Sequence, residues 1–258
     1  MTVPIAGNDG VELYYEAAGR DEDATPESGE PVVFVPDLGC GAWLWGWQAP
    51  ALAGPRDAIT WDLRGTGRSS PGETYSIGAM AADLEVVLAD HGVRKVAVVG
   101  AGMGGMVALR YALDHSRARR LVLLGTAAEG SVFDAGAFLG PVDDLAALTS
   151  AAFREAHPDA VERIADWRAA EDAPGEVRRR QAEAVAAVDV SGRLHEITVP
   201  ALVAHGTADA VVPPAAGETL AEGLPRGRFE RFEEGSHFFF VEQARLVSDA
   251  LAGFLDGA

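Results

Sequence analysis

The chain has 258 residues, of which 48% are hydrophobic, with 21 Lys and Arg against 39 Asp and Glu for a net charge of −18. That length suits one large domain with a substantial core, and so acidic a field opposes binding to nucleic acid or anionic membranes, serving solubility instead. The one cysteine, Cys40, excludes an intrachain disulfide and a cysteine metal cluster; the opening MTVPIAGNDG has neither the basic nor the apolar region of a secretion signal, no apolar run reaches membrane-span length, and a cytoplasmic protein is expected.

Asn8-Asp9-Gly10 between Thr2–Ala6 and Val11–Ala18 predicts a β-hairpin. An acidic surface loop follows over Asp21–Glu30. Pro31–Val35 is a short apolar run that reads as a buried strand, opening into the Gly- and Trp-rich stretch PDLGCGAWLWGW. Ala58–Asp62 is the next strand and runs into DLRGTGRS. Ser76 and Gly92 bracket an apolar-periodic helix over Ile77–His91, as N-cap and C-terminal glycine.

Lys95–Val99 is another buried strand. It leads into Gly100-Ala101-Gly102-Met103-Gly104-Gly105 and then a helix over Met106–His115. Strand, glycine-crowded turn and helix form the context of a nucleophile elbow, G-x-S-x-G, with Gly100 and Gly104 in place. The middle residue is Gly102. Glycine tolerates the strained positive-φ turn at little cost, but it offers no hydroxyl and cannot form an acyl-enzyme.

Arg120–Gly125 is the next strand. Residues 127–196 then turn alanine-rich and charged at helical spacing, with breaks at Gly140-Pro141, His157-Pro158 and Pro174-Gly175. Strands resume at Ala201–His205 and Arg228–Phe232, with a helix over Pro214–Gly223 between them and a final helix over Phe239–Leu255. Alternating strands and helices predict an α/β fold with a mostly parallel sheet covered on both faces. The 127–196 insert would lie over the C-terminal strand ends, where such sheets bind ligands. No phosphate-binding or metal-ligand spacing stands in the right context, and no cofactor is expected.

Taken in order, PDLGCGAW, DLRGTGRS, GAGMGG, HGTADAVVP and GSHFFFVEQ resemble the segments that carry the active site of the α/β-hydrolase superfamily. The chain looks like the branch of small esterases, lactonases and C–C hydrolases with a helical cap, and the resemblance covers essentially the whole chain. The resemblance implies an eight-stranded core from residues 1–126 and 197–258 with a small helical cap over 127–196. It implies His237 as general base, Asp209 as the acid that orients it, and an oxyanion hole from the backbone N–H groups of Leu38 and Met103. Glu129 is a lower-ranked alternative acid. The family often has His-Gly where this chain has Pro36-Asp37, and Asp37 could either repel an oxyanion or act as an extra acid or base. Trp43, Phe133, Phe138, His157, Trp167 and Phe238 are substrate-contact candidates, joined by Trp45 and Trp47. They suit an apolar or aromatic substrate. His91, His115, His195 and His205 lack such context and read as structural or exposed.

The expected function is a serine-free enzyme acting on a small ester-, lactone- or ketone-type substrate. A His237/Asp209 base dyad would direct water attack, or proton abstraction leading to elimination, cyclisation or decarboxylation. A serine hydrolase inactivated by Ser→Gly at position 102 and a non-catalytic binding protein are the alternatives. The expected partner is a small molecule, with the chain a monomer or homodimer.

Overall fold

The computed structural model describes residues 4–19, 29–54 and 56–257. β1 (Ile5–Asn8) and β2 (Val11–Ala18) form the expected hairpin. Asn8 pairs with Val11 across a two-residue turn in which Asp9 and Gly10 have φ of 47° and 79°. That primed turn lets the first strand run on to Asn8, past the predicted Ala6. The acidic loop expected at 21–30 lies outside the described residues except for its last two positions.

β3 (Val32–Val35), α1 (Gln48–Leu52), β4 (Ala58–Trp61), α2 (Ile77–Asp90), β5 (Val96–Ala101), α3 (Met103–Asp114) and β6 (Ala118–Leu124) follow. Between β6 and the next strand lie α4 (Ala151–Ala156), α5 (Pro158–Glu171), α6 (Gly175–Ala186) and short 3-10 turns. β7 (Ala201–Gly206), α7 (Pro214–Gly223), β8 (Gly227–Phe232), α8 (Phe239–Glu242) and α9 (Ala244–Asp256) close the chain. One helix was expected where α8 and α9 stand. The backbone leaves helical geometry at Gln243, whose side-chain amide donates to the Glu233 carbonyl.

The eight strands make one sheet in the order β1-β2-β4-β3-β5-β6-β7-β8. β1 and β2 are antiparallel; β3 to β8 run parallel. The central strands β3 and β5 are buried at every position, as expected of strands covered on both faces. Ser76 caps α2 by accepting from the Ala79 amide, the cap read from sequence. α3 starts three residues earlier than its apolar spacing suggests. Its first turn is the glycine-rich Met103-Gly104-Gly105, and a β-carbon at Gly104 would collide with the carbonyl oxygens of Val35 and Pro36. Close approach of α3 to the end of β3, and not helix propensity, selects glycine there.

The DLRGTGRS turn is a structural joint. Asp62 accepts from the amides of Ala42 (2.8 Å) and Arg68 (3.0 Å), tying the turn after β4 to the loop after β3. Arg64 forms a two-pronged pair with Asp83 of α2, both contacts at 2.6 Å and both side chains almost fully buried. Arg64→Ala would leave Asp83 buried without its counter-charge. We predict a loss of about 3–5 kcal/mol by urea denaturation, and a loss below 1 kcal/mol would show the carboxylate finds another partner.

Candidate active site

The parallel strands place the chemistry-bearing side chains at one end of the sheet. Asp37 follows β3, Gly102 follows β5, Asp209 follows β7 and His237 follows β8. All three side chains are buried, Asp37 at 0%, His237 at 1% and Asp209 at 6% exposure.

His237 sits between the two carboxylates. Its Nδ1 lies 2.8 Å from Asp209 Oδ2, and its Nε2 lies 2.8 Å from Asp37 Oδ2. Asp209 Oδ1 accepts from the amides of Val211 (2.8 Å) and Val212 (3.0 Å), and His205 Nε2 lies 3.1 Å from Oδ2. Burial alone would raise the Asp209 pKa. The His237 charge and hydrogen bonds from His205, His237 and the Val212 amide outweigh it and hold Asp209 well below the usual carboxylate range. Burial alone would lower the His237 pKa. The charge and hydrogen bond of Asp209, then those of Asp37, overcome it and push His237 up to about 10. His237 therefore rests as an imidazolium at neutral pH. A second carboxylate, that of Asp37, occupies the nitrogen through which a general base would take a proton.

That second carboxylate also answers what Gly102 is for. Gly102 has φ 50° and ψ −116° at the turn into α3. A β-carbon there would fall on the Asp37 carboxyl group. Leu38 and Met103 are the residues from which oxyanion donors were expected. Both amides, however, donate to Asp37 Oδ1 at 2.7 Å. Asp37 thus occupies the space of an elbow side chain and saturates the two donors. A serine at position 102 would require Asp37 to move.

Aromatic rings surround the histidine. Phe133, Phe138 and Phe238 have centroids 6.0, 5.8 and 5.8 Å from the His237 ring. Trp43 meets Phe238 at 6.5 Å and stacks on Trp167 at 6.2 Å, and both tryptophans line a cavity of about 920 Å³ with Tyr14, Glu16, Arg68 and Glu171. Trp43 is thus linked to His237 through Phe238, and Trp167 through Trp43 and Phe238. Trp45 packs on Phe34 and Phe240 in the core, and Trp47 meets Trp167. His157 is exposed and packs on Phe153, and Glu129 is exposed and pairs through its backbone with Asp189 in an isolated antiparallel β-bridge, so neither joins the charged group.

Sequence reasoning passed over three residues that shape the site. His205 is fully buried against Asp209, four positions before it at the end of β7. In α6, Gln181 accepts from the Gly39 amide at 2.7 Å, and Arg178 donates to the carbonyls of Phe138 and Gly140 at 2.7 and 2.8 Å. Helix α6 thereby holds both the loop that carries Asp37 and the turn that carries Phe138. Only the pairing of His205 with Asp209, both in HGTAD, had a local signal. Among the described residues no group of three or more His, Cys, Asp or Glu is arranged to hold a metal ion, and no helix is long and apolar enough to cross a membrane.

Comparison with known proteins places this geometry in context. The Alpha/beta hydrolase family matches residues 32–250. A Variovorax paradoxus protein named "Putative carbamate hydrolase RutD" is 33% identical over 94% of this chain and 96% of its own. Among solved structures, Est816, described as an N-acyl homoserine lactone degrading enzyme, superposes with a TM-score of 0.84 at 28% identity, over 97% of this chain and all of its own. The enol-lactonase from Burkholderia xenovorans LB400 gives 0.86 at 26% identity, over 98% of this chain and all of its own.

Two predictions follow from the packing around His237. Gly102→Ser should cost at least about 1–3 kcal/mol, the range for a strained positive φ, with the Asp37 collision added. Combined with Asp37→Gly it should cost less than the sum of the two single changes, because the collision is then absent, and strictly additive effects in the double-mutant cycle would refute the contact. Because the folded pKa of His237 lies above its usual 6.5, its contribution to stability is complete below pH 6.5 and is lost as pH rises toward about 10. Urea melts across that window should show falling stability in the native protein and a flatter profile in His237→Gln. Parallel profiles would remove His237 from the linkage.

Proposed function

The chain belongs to the alpha/beta hydrolase family, and from that premise we propose that it hydrolyses a small apolar or aromatic ester- or lactone-type substrate without a serine nucleophile. Asp37, His237 and Asp209 are its working groups, and residues 127–196 form its cap. The observation that carries this reading is the Asp37 carboxylate lying where an elbow side chain would stand, bonded to His237 on one oxygen and to two amides on the other.

In this reading the resting imidazolium gives a proton first. Nε2–H of His237 polarises the substrate carbonyl oxygen, and Asp37 Oδ2 accepts a proton from the attacking water. Asp209 stabilises the imidazolium and fixes its ring, as the acid of a triad does. Collapse of the tetrahedral species returns Asp37 to its ionised form and His237 to its cation. Starting protonated disfavours the elimination, cyclisation and decarboxylation alternatives, which need His237 to take a proton from carbon in the first step. Phe133, Phe138 and Phe238 favour an apolar or aromatic acyl or alcohol group. The lactonase and hydrolase names of the relatives support the same substrate class for this chain. The reading of a serine enzyme disabled at position 102 is weakened by Asp37, which such an enzyme would have no room for.

A fluorophosphonate probe should leave the intact protein mass unchanged while small aromatic esters or lactones turn over. His237→Ala and Asp37→Asn should each lower that turnover by roughly 10²–10⁴. The rate should fall as pH rises through about 10, where the His237 proton is lost. Stoichiometric labelling, or variants with unchanged turnover, would discard this mechanism.

A further inference from the structure

The cavity of about 920 Å³ beside Trp43 has no part in the chemistry at His237, since neither His237 nor Phe238 is among its walls. Its volume is that of a small-molecule site. Ala17 and Ala18 of β2 and Ala49 and Pro50 of α1 make one side apolar. At the other side Trp43 stacks on Trp167 of α5, and Glu171 stands four residues beyond Trp167 on the same face of that helix.

The charges here are unbalanced. Glu16 and Glu171 line the cavity against one arginine, Arg68. His91 also lines it and lies 2.7 Å from Asp57. Arg68 is already committed, being 3.3 Å over the Tyr14 ring, 3.1 Å from Glu16 and 3.7 Å from the fully buried Asp62. Among the described residues Glu171 forms no ion pair. Burial, and then the charge of Asp62, raise its pKa against the pull of Arg68 and the Trp43 amide.

A partly buried carboxylate without a counter-charge, set among aromatic rings, selects its ligand by exclusion. Glu16 and Glu171 would repel an anion. A neutral apolar guest would strip water from Glu171 and return nothing. A metal ion needs several oxygen or nitrogen ligands, and among the described residues no group of three or more His, Cys, Asp or Glu is arranged to hold one. An organic cation satisfies both features at once. Its charge answers Glu171, and its alkyl groups lie on indole faces whose quadrupole attracts them. Two of the protein's own cations already use rings at this cavity, Arg68 on Tyr14 and Arg163 at 5.8 Å from Trp167.

We propose that this cavity is a second ligand site, which binds a small alkylated ammonium ion against Trp43, Trp167 and Glu171. The site is separate from the hydrolytic reading and stands whether or not esters are turned over.

Choline and 3,3-dimethylbutan-1-ol share a shape and differ by one charge, so the pair isolates the feature at issue. Each is titrated into the full-length protein at fixed ionic strength, with binding followed by tryptophan fluorescence and by calorimetry. Choline should give a saturable change and bind about tenfold more tightly than the alcohol. Glu171→Gln keeps the shape of the side chain and should abolish that preference, and Trp167→Leu should weaken choline binding while both variants keep the native circular dichroism spectrum. Equal affinity for the two probes, an unchanged preference in Glu171→Gln, or no saturable binding of choline would overturn the proposal. The same saturable change on titrating magnesium chloride would assign the carboxylates to inorganic cations and overturn it too.

Discussion

The structure depends on burying three charged side chains together. Asp37, His237 and Asp209 lie almost wholly out of water, where an unpaired charge would be prohibitively costly. The cation between the two carboxylates removes most of that cost, and four backbone amides accommodate the remaining negative charge. Each donor is fixed by a loop at the end of a parallel strand. Those loops can converge because β3, β5, β7 and β8 share one sheet and one direction. Glycine at position 102 belongs to the same constraint, since any β-carbon there would displace the carboxylate that half of this arrangement serves.

Much of the fold was legible because its signals are local. The Asn8-Asp9-Gly10 turn, the Ser76 cap and the apolar runs of β3, β5 and β7 each declare themselves within a few residues. The limits of α3 were less legible, because its opening glycines answer to Val35 and Pro36 and not to their own helix. The site divides in the same way. His237, Asp209 and the turn at Gly102 were marked by short motifs at strand ends. The contact between Asp37 and His237 spans 200 positions and has no local signature. The likeness to a serine site also pointed away from it, since it predicted amides waiting for a substrate oxygen. Gln181 and Arg178 were missed for a related reason: a buried polar residue holding a neighbour in place looks in sequence like any other.

Asp37 and Gly102 are best understood as one feature written at two positions. An aspartate at 37 beside an elbow with a side chain would collide, and a glycine at 102 without the aspartate would leave two buried amides and an imidazolium unmatched. Family membership fixes the scaffold and the direction from which groups enter the site. The chemistry is set by which atom lies on the two amides, and a fold comparison does not register that difference.

Helix α6 grips two parts of the site at once. Gln181 holds the Gly39 amide beside Asp37, and Arg178 holds the carbonyls of Phe138 and Gly140 beside the ring that covers His237. Displacing α6 would therefore break the brace behind the Asp37 loop and the brace behind the Phe138 turn together, so the two sides of His237 share one mechanical support.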